Sequence, residues 1–100
     1  MALEITGNIE LSNGIVVNSL YCRTQAWLSN TGTEVGCSPA FYTNKAAYDS
    51  GSQEVYLDGI KILTPYDRAT DGTDILLYSN EYIKFQMEAK GYSATIVDLN

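Results

Sequence analysis

The sequence predicts an α+β domain, mainly an antiparallel β-sheet or a small partly open barrel or sandwich. One helix over about residues 74–90 and a last strand complete the predicted fold. Three observations support this: apolar and polar residues alternate at the start, Asn-Gly and Asp-Gly pairs separate β-prone runs, and residues 74–90 carry a helical pattern. A chain of 100 residues is expected to form a single domain over 1–100.

The most distinct element is a β-hairpin at the start. Alternation continues to residue 11, Asn13-Gly14 follows, and a second β-prone run begins at Ile15. A two-residue turn at Asn13-Gly14 pairs Ser12 with Ile15 and fixes the register. The predicted pairs are then Leu11 with Val16, Ile5 with Cys22, Gly7 with Leu20 and Glu4 with Arg23. This register places Cys22 in the core.

The other face of this hairpin also carries apolar side chains, so its role stays open. One interpretation is a second core layer or the curl of a small barrel. The other is a contact between subunits, because an extended apolar surface often marks an interface. The residues concerned are Ile15, Val17, Tyr21 and, further along, Trp27, together with the polar Glu10 and Thr6.

The middle of the chain predicts a loop, a strand and a short helical turn. The loop covers residues 29–32, and the strand covers 33–42 with interruptions near Gly36 and Ser38-Pro39. Proline there suits an edge strand or a bulge. Thr43-Asn44 is expected to cap a helical turn over 45–49 that Gly51 closes.

A second hairpin is predicted around Asp58-Gly59, which is another preferred two-residue turn. Its strands are residues 54–57 and 60–63, and one face carries Val55, Leu57, Ile60 and Ile62. Residues 64–73 are polar and rich in turn formers.

Residues 74–90 fit a helix, with a strand as the alternative. The helix starts with Thr73 or Asp74 as its cap and ends at Gly91, whereas the strand would turn at Lys90-Gly91. Its length and the helix formers at 86–90 favour the helix. As a helix, it has a charged stripe of Asn80, Lys84 and Glu88, with Glu81 beside it. One apolar flank consists of Ile75, Leu76, Ile83 and Met87. The other consists of Tyr78, Tyr82, Phe85 and Ala89. Lys84 and Glu88 are spaced as an ion pair, and residues 92–99 form a strand in either case.

Composition argues against several functions. The net charge is −6 and the six basic residues are scattered, which disfavours nucleic acids and anionic membranes as partners. Histidine is absent, which removes the commonest general base and zinc ligand. No nucleophile elbow or phosphate-binding loop occurs. We therefore expect no enzymatic activity and no cofactor. The start of the chain lacks a signal-peptide pattern, so secretion by that route is not expected.

Two further residue types are candidate sites. Cys22 and Cys37 are expected to be buried free thiols, with a single disulfide as the alternative. Asp67, Asp71 and Asp74 are weak metal-ligand candidates, because their spacing fails the EF-hand pattern. Turn formation and capping of the following helix explain these acids more simply, so no metal is expected.

Tyrosine is over-represented, with eight among eleven aromatic residues. Tyrosine favours strands at sheet borders, but it also suits protein interfaces and sugar stacking. All three roles stay open at this point. The interface candidates are Ile15, Val17, Tyr21, Trp27, Tyr42 and Tyr56.

Three segments resemble small virion proteins of tailed bacteriophages. They are the opening Met-Ala-Leu-Glu-Ile-Thr-Gly-Asn-Ile-Glu-Leu before Asn-Gly-Ile, Phe-Tyr-Thr-Asn-Lys-Ala-Ala-Tyr-Asp-Ser-Gly in the middle, and residues 65–92. The resemblance implies a tail, baseplate, neck or capsid-decoration subunit, made in the host cytoplasm and located in the virion. Its expected partners are copies of itself, in rings or trimers, and other virion proteins.

The resemblance supplies no catalytic residues, and Trp27 with Cys22 and Cys37 departs from the family's texture. The alternative function is a carbohydrate-binding adhesion module that uses exposed tryptophan and tyrosine side chains.

Overall fold

The computed structural model describes residues 1–98, which form a five-stranded antiparallel sheet with a long helix on one face. The strands are β1 (Ala2–Glu10), β2 (Val16–Leu28), β3 (Glu34–Tyr42), β4 (Leu63–Pro65) and β5 (Ser93–Val97). The helices are α1 (Lys45–Asp49), α2 (Arg68–Asp71) and α3 (Ile75–Ala89). The strand order is β4-β3-β2-β1-β5, and the sheet is open. The predicted α+β class, the C-terminal helix and the strand after it are confirmed.

The first hairpin forms as predicted, but its turn is one residue longer. The N–H of Leu11 donates to the carbonyl of Ile15 at 2.8 Å, and the N–H of Gly14 donates to Leu11 at 2.9 Å. Gly14 has φ 84°, in the left-handed region that a three-residue hairpin loop requires of its last residue. The Asn13 side chain accepts the N–H of Ile15 at 3.1 Å, which supports this longer turn.

A β-bulge shifts the register a second time. Between the pairs Thr6–Ser19 and Ile9–Val17, two residues of β1 oppose one residue of β2. The four predicted pairs are therefore wrong, and the observed ones include Leu3 with Cys22, Ile5 with Leu20, Glu4 with Tyr21 and Glu10 with Val16. Two shifts of one residue add to an even number, so Leu3, Ile5, Leu20 and Cys22 still share the core face, as predicted. Beside the turn the prediction is wrong: Val16, expected opposite Leu11, is 59% exposed, and Val17 packs against the core instead.

Strand β3 runs without interruption from Glu34 to Tyr42, contrary to the predicted breaks. Pro39 pairs with Thr24 of β2, and its nitrogen points to the other side of β3 because donors alternate along a strand. On that side, residues 55–62 form backbone hydrogen bonds to β3 at the positions before and after Pro39. The N–H of Cys37 donates to Ile62 and the N–H of Val55 donates to Phe41, both at 2.7 Å. Pro39 thus occupies an unpaired edge position, as expected of proline.

The predicted second hairpin is wrong. Residues 54–62 bend at Asp58-Gly59 as expected, but their two limbs bond to β3 instead of to each other. Helix α3 holds the loop, because Gln86 accepts the N–H of Lys61 at 2.7 Å and donates to its carbonyl at 2.9 Å. Of the face predicted to be apolar, Val55, Leu57 and Ile60 pack on the core, and Ile62 is exposed.

Side-chain caps set the starts of the helices. Asn44 caps α1 by accepting the N–H of Ala47 at 2.7 Å, and Gly51 follows the helix with φ 74°. Asp74 caps α3 by accepting the N–H of Leu77 at 3.0 Å. The predicted turn at 45–49 and the predicted start of the long helix are confirmed.

Helix α3 buries Ile83 and Met87 but departs from its predicted faces. Asn80 was assigned to the charged stripe, yet it is buried and donates to the carbonyl of Leu76 at 2.9 Å. Because an asparagine can bond to its own helix, burial leaves the Asn80 Nδ2 group with a partner, whereas its Oδ1 is buried without a hydrogen-bond partner among the described residues. Phe85, assigned to an apolar flank, is 67% exposed. The expected Lys84–Glu88 ion pair is present at 3.4 Å.

The core lies between α3 and the sheet, with residues 55–60 closing one end. Cys22 and Cys37 are both buried and free, as expected. They pair with Phe41 and Ala26 respectively, so they lie in different rows of the sheet. Burial raises the pKa of the Cys22 thiol to about 12, which keeps it protonated at neutral pH. The largest fully buried side chains include Tyr21, Leu3, Ile5, Ile9, Leu20, Ile83, Met87 and Val35.

Candidate interaction surface

The sheet has one face toward α3 and one face away from it, because side chains alternate along each strand. We call the second the open face. Trp27 of β2 and Gly36 of β3 are paired on this face, and Leu63 of β4 pairs with Gly36. Where β2 pairs with β3 and β3 pairs with β4, the other open-face positions are Tyr21, Arg23, Gln25, Glu34, Ser38, Ala40, Tyr42 and Pro65.

Helix α1 covers one end of the open face through a tyrosine cluster. The ring of Tyr48 lies 5.7 Å from Tyr21 and 5.1 Å from Tyr42, measured between ring centroids. The Arg23 guanidinium lies 5.1 Å from the Tyr48 centroid, in cation–π distance. These contacts bury Tyr21 to 2% exposure, so this predicted interface candidate is filled by the chain itself. Tyr42 is half-buried in the same cluster.

Asp98 fixes this cluster from the end of β5. Its carboxylate accepts the Tyr21 hydroxyl at 2.6 Å and lies 3.3 Å from the Lys45 ammonium of α1. Burial, followed by the hydrogen bond to Asp98, raises the pKa of the Tyr21 phenol. The bond from Tyr21 and the nearby Lys45 lower the pKa of Asp98. At neutral pH the phenol is therefore a fixed donor and the carboxylate a fixed acceptor, which suits a structural clamp.

At the other end of the open face the apolar side chains are uncovered. A Cβ added to Gly36 would lie 2.0 Å from Cε2 of the Trp27 indole, so the ring lies directly against the glycine backbone. Trp27 is 45% exposed and Leu63, the next residue across the sheet, is 47% exposed. We call Trp27, Gly36, Leu63 and Pro65 the Trp27 patch. It is an exposed aromatic and aliphatic surface at the β4 edge of the sheet.

A cleft lies beside the Trp27 patch, where residues 55–62 arch away from β3 at Pro39. Its volume is about 260 Å³, and its lining includes Trp27, Ser38, Pro39, Tyr56, Leu57 and Ile62. Ligand pockets for small molecules usually measure about 300–1,000 Å³ and enclose their ligand. This cleft is smaller and open, and its size suits one or two side chains of a partner protein.

The remaining interface candidates lie near the first turn. Ile15 is exposed beside the hairpin turn, whereas Val17 is half-buried on β2 and packs against the core, contrary to its predicted place on the other face. The N–H of Ser12 donates to the carbonyl of Tyr56 at 2.9 Å, so exposed Tyr56 lies between the turn and the cleft. The structure therefore brings Trp27 and Tyr56 to one cleft, places Tyr21 and Tyr42 in the cluster, and leaves Ile15 and Val17 apart.

The sequence did not predict three members of the patch, Gly36, Leu63 and Pro65. Gly36 was read as a strand interruption, and Leu63 was assigned to a hairpin strand. The sequence could have indicated Gly36, because a glycine inside a strand often marks a close approach of another group. It contained no signal for Leu63 or Pro65, since the short β4 exists only through pairing with residues 34–36.

The three acidic candidates act as hydrogen-bond acceptors for backbone N–H groups. Asp67 accepts from Ala69 at 2.9 Å and caps α2, while Asp71 accepts from Asp67 at 2.8 Å. Asp74 caps α3, as described above. Among residues 1–98, no group of three or more His, Cys, Asp or Glu side chains is arranged to hold a metal ion.

Comparison with known families, with curated proteins and with solved structures found no match for this chain. Within residues 1–98, no helix is both long and apolar enough to cross a membrane.

Proposed function

We propose that this chain is a non-enzymatic assembly subunit that acts through protein–protein contacts, and that it belongs to a bacteriophage virion. The proposed part is a tail, baseplate, neck or capsid-decoration component. The Trp27 patch, described above, is the observation that carries the contact function. Assignment to a virion depends on the sequence resemblance given above.

The Trp27 patch has the properties of an interface centre. Tryptophan is among the residues that dominate binding energy when a partner covers them. The indole is supported from behind by Gly36, which pairs with Trp27 across β2 and β3, so the ring is held before binding. A side chain already held in place loses little conformational entropy when a partner docks, which favours affinity.

The charges around the patch indicate the partner's character. Glu34 lies opposite Pro65 at one side of the patch, and Glu54 lines the cleft. The chain as a whole carries a net charge of −6. We infer a partner surface that offers an apolar side chain to the cleft and a basic residue at its rim, because complementary charges favour association.

Two features support the non-enzymatic part of the proposal. The sequence has no histidine, the usual partner of a serine or cysteine nucleophile. The Cys22 thiol is buried and its pKa is raised to about 12, whereas a reactive cysteine needs an exposed, stabilised thiolate.

Mass spectrometry of purified native phage particles, combined with incorporation of recombinant variants, tests the proposal. We expect the chain in the particles at a fixed copy number. Trp27→Ser should reduce incorporation at least about tenfold, as expected for loss of a central interface tryptophan. Phe85→Ser is the matched control, because Phe85 is an exposed aromatic on α3, away from the patch. Absence of the chain from particles, or equal incorporation of wild type and Trp27→Ser, would contradict the proposal.

A carbohydrate-binding adhesion module is the second candidate, favoured by the exposed indole held against Gly36. Aromatic rings with one open face can stack against sugars. Glycan-array binding that Trp27→Ala abolishes and Phe85→Ala preserves would favour this function over assembly. Absence of glycan binding, together with normal incorporation of wild type into particles, would favour assembly.

A further inference from the structure

Strand β5 lies at the end of the sheet opposite the Trp27 patch, and within residues 1–98 no strand pairs with its outer side. Its five residues pair regularly with β1, from Ser93–Thr6 to Val97–Ala2. Natural sheets protect such edges with short strands, prolines, charges or bulges. The other edge, β4, is protected in this way, since it is three residues long and ends at Pro65. The Ser-Ala-Thr-Ile-Val sequence of β5 contains none of these protective features.

The backbone groups that β5 presents at its outer side follow from the sheet pattern. In an antiparallel ladder, the N–H and C=O of one residue point to one neighbour and those of the next residue to the other. On β3 the N–H of Cys37 points away from β2, which sets the phase of the alternation. Counting across the observed pairs, Leu3 and Ile5 bond to β2. In β5, Ala94 and Ile96 therefore direct their N–H and C=O groups outward.

We propose that β5 is a dimerisation edge, at which β5 of a second copy of this chain pairs antiparallel about a twofold axis through Thr95. In this register Ala94 of each copy lies opposite Ile96 of the other. The two residues exchange both backbone hydrogen bonds, and symmetry repeats the exchange. All the outward groups of Ala94 and Ile96 are then bonded, and the dimer has one continuous sheet.

The side chains of β5 are complementary to their own copy in this register. On the α3 side, small Ala94 faces larger Ile96, which is half-exposed in the single chain. On the open face the two Thr95 side chains face each other, and Ser93 faces Val97. Cross-strand Thr–Thr pairs are favourable on a sheet.

The acidic character of the chain does not oppose this contact. The charged residue nearest to the axis on the open face is Glu4, which pairs with Thr95 from β1. Three strand spacings separate Glu4 from its symmetry mate, about 14 Å in total. That distance exceeds the Debye length of about 8 Å at physiological ionic strength, so the repulsion is mostly screened.

We prefer a second copy to a strand of another protein, because this register gives the outward N–H and C=O groups of Ala94 and Ile96 hydrogen-bond partners. It also places no like charges directly opposite each other. Twofold dimers are also the commonest homo-oligomers. The inference goes beyond the proposed function, since it uses neither the Trp27 patch nor the resemblance to virion proteins.

Sedimentation equilibrium of the full chain between about 10 µM and 1 mM tests the inference, a range suited to a contact made by one strand pair. We expect a reversible dimer of twice the 11.0 kDa chain mass. Thr95→Lys places two lysines face to face at the axis and should raise the dissociation constant at least about tenfold, with partial recovery in about 1 M salt. Ser93→Lys adds the same charge without facing lysines and is the matched control.

Amide hydrogen exchange tests the register itself. Exchange at Ala94 and Ile96 should slow as the protein concentration rises, because these N–H groups become bonded only in the dimer. Exchange at Thr95, whose N–H already points to β1, should change little. Ala94→Pro is the second variant, since it removes one outward donor without removing a bond to β1, and it should also weaken the dimer.

Four results would overturn the inference: a monomer up to about 1 mM, a dimer unaffected by both Thr95→Lys and Ala94→Pro, a complex that forms only with another protein's strand, or a dimer lost in Trp27→Ser. The last result would assign self-association to the Trp27 patch and leave the proposed function standing. Normal dimerisation combined with absence of the chain from phage particles would support the β5 dimer and contradict the proposed function.

Discussion

The Trp27 indole lies directly against the Gly36 backbone on the open face, and a single methyl group tests this contact. In Gly36→Ala the new Cβ would lie 2.0 Å from the indole, so the ring must swing away. We expect a loss of about 1–2 kcal/mol in unfolding free energy, within the range for overpacking. Tryptophan fluorescence should shift to longer wavelength, because Trp27 is the only tryptophan and becomes more exposed.

The control for this variant is Gly32→Ala. Gly32 has φ 71° and no atom within 4 Å of an added Cβ, so alanine there is strained without touching the indole. It should cost about 1 kcal/mol and leave the fluorescence maximum unchanged. A red shift in both variants, or in neither, would contradict the stacking of Trp27 on Gly36.

Cys22 gives the chain a pH dependence above neutrality. Burial raises its thiol pKa from 9.0 to about 12, so above pH 9 the unfolded chain loses this proton before the folded chain does. Folding stability supplied by the protonated thiol is thus complete below pH 9 and falls as pH rises toward 12. The slope for one proton is about 1.4 kcal/mol per pH unit.

The variant Cys22→Ala isolates this contribution from those of Tyr21 and Cys37, whose pKa values are also raised. Urea denaturation of both proteins from pH 8 to 11 should show their stability difference narrowing above pH 9. A difference that stays constant over this range would show that the buried thiol does not control the slope.

At the scale of elements, the start of α3 depends on one carboxylate. Asp74 accepts the N–H of Leu77 at 3.0 Å, and Asp74→Ala leaves that donor without its side-chain acceptor. We expect a loss of about 1 kcal/mol by urea denaturation, with Asp74→Ser recovering most of it because serine caps as well. If calcium raised the melting temperature of wild type but not of Asp74→Ser, the carboxylate would be a metal ligand as well as a cap.

The two glycines that shape the first hairpin differ in what surrounds them. Gly14 has φ 84° and open space around an added Cβ, whereas Gly7 has φ 143° and an added Cβ would lie 3.1 Å from the Tyr92 ring. Gly7→Ala should therefore cost about 2–3 kcal/mol, and Gly14→Ala about 1 kcal/mol. Equal losses on thermal denaturation would show that the contact with Tyr92 adds nothing.

Features with local causes could be predicted from the sequence, and features set by distant segments could not. Asn44 and Asp74 bond within one turn of their own helices, so both helix starts were predictable. The bend at Asp58-Gly59 also has a local cause and could be predicted. The pairing partner of residues 54–62 could not be predicted, because β3 and Gln86 of α3 supply the hydrogen bonds that a hairpin would have made within itself.

The candidate site divides in the same way. Trp27 was a candidate because of its face and its residue type, Tyr56 because of its residue type, and both line one cleft. Tyr21 was a candidate on the same grounds as Trp27, but Tyr48 and Asp98 bury it from distant parts of the chain. Residue type thus identified candidates, and only the packing of α1 decided which of them stayed exposed.

At the scale of the whole molecule, the Trp27 patch and the β5 edge lie at opposite ends of the sheet, with β1 and part of β2 between them. Substitutions at such separated sites usually act independently. Thr95→Lys should therefore leave incorporation into particles, which depends on the Trp27 patch, unchanged for each chain. Trp27→Ser should leave the dissociation constant of the dimer unchanged. The double variant should show both losses with no additional effect, measured by sedimentation and incorporation together.

The paired irregularities of the first hairpin also limit how its length can change. The longer turn and the bulge each displace the strands by one residue, and together they keep Leu3 and Ile5 facing α3. Removing either irregularity alone would turn that part of β1 over and expose its apolar residues. Homologous chains should thus gain or lose hairpin residues in compensating pairs, a coupling that an alignment would reveal as correlated gaps.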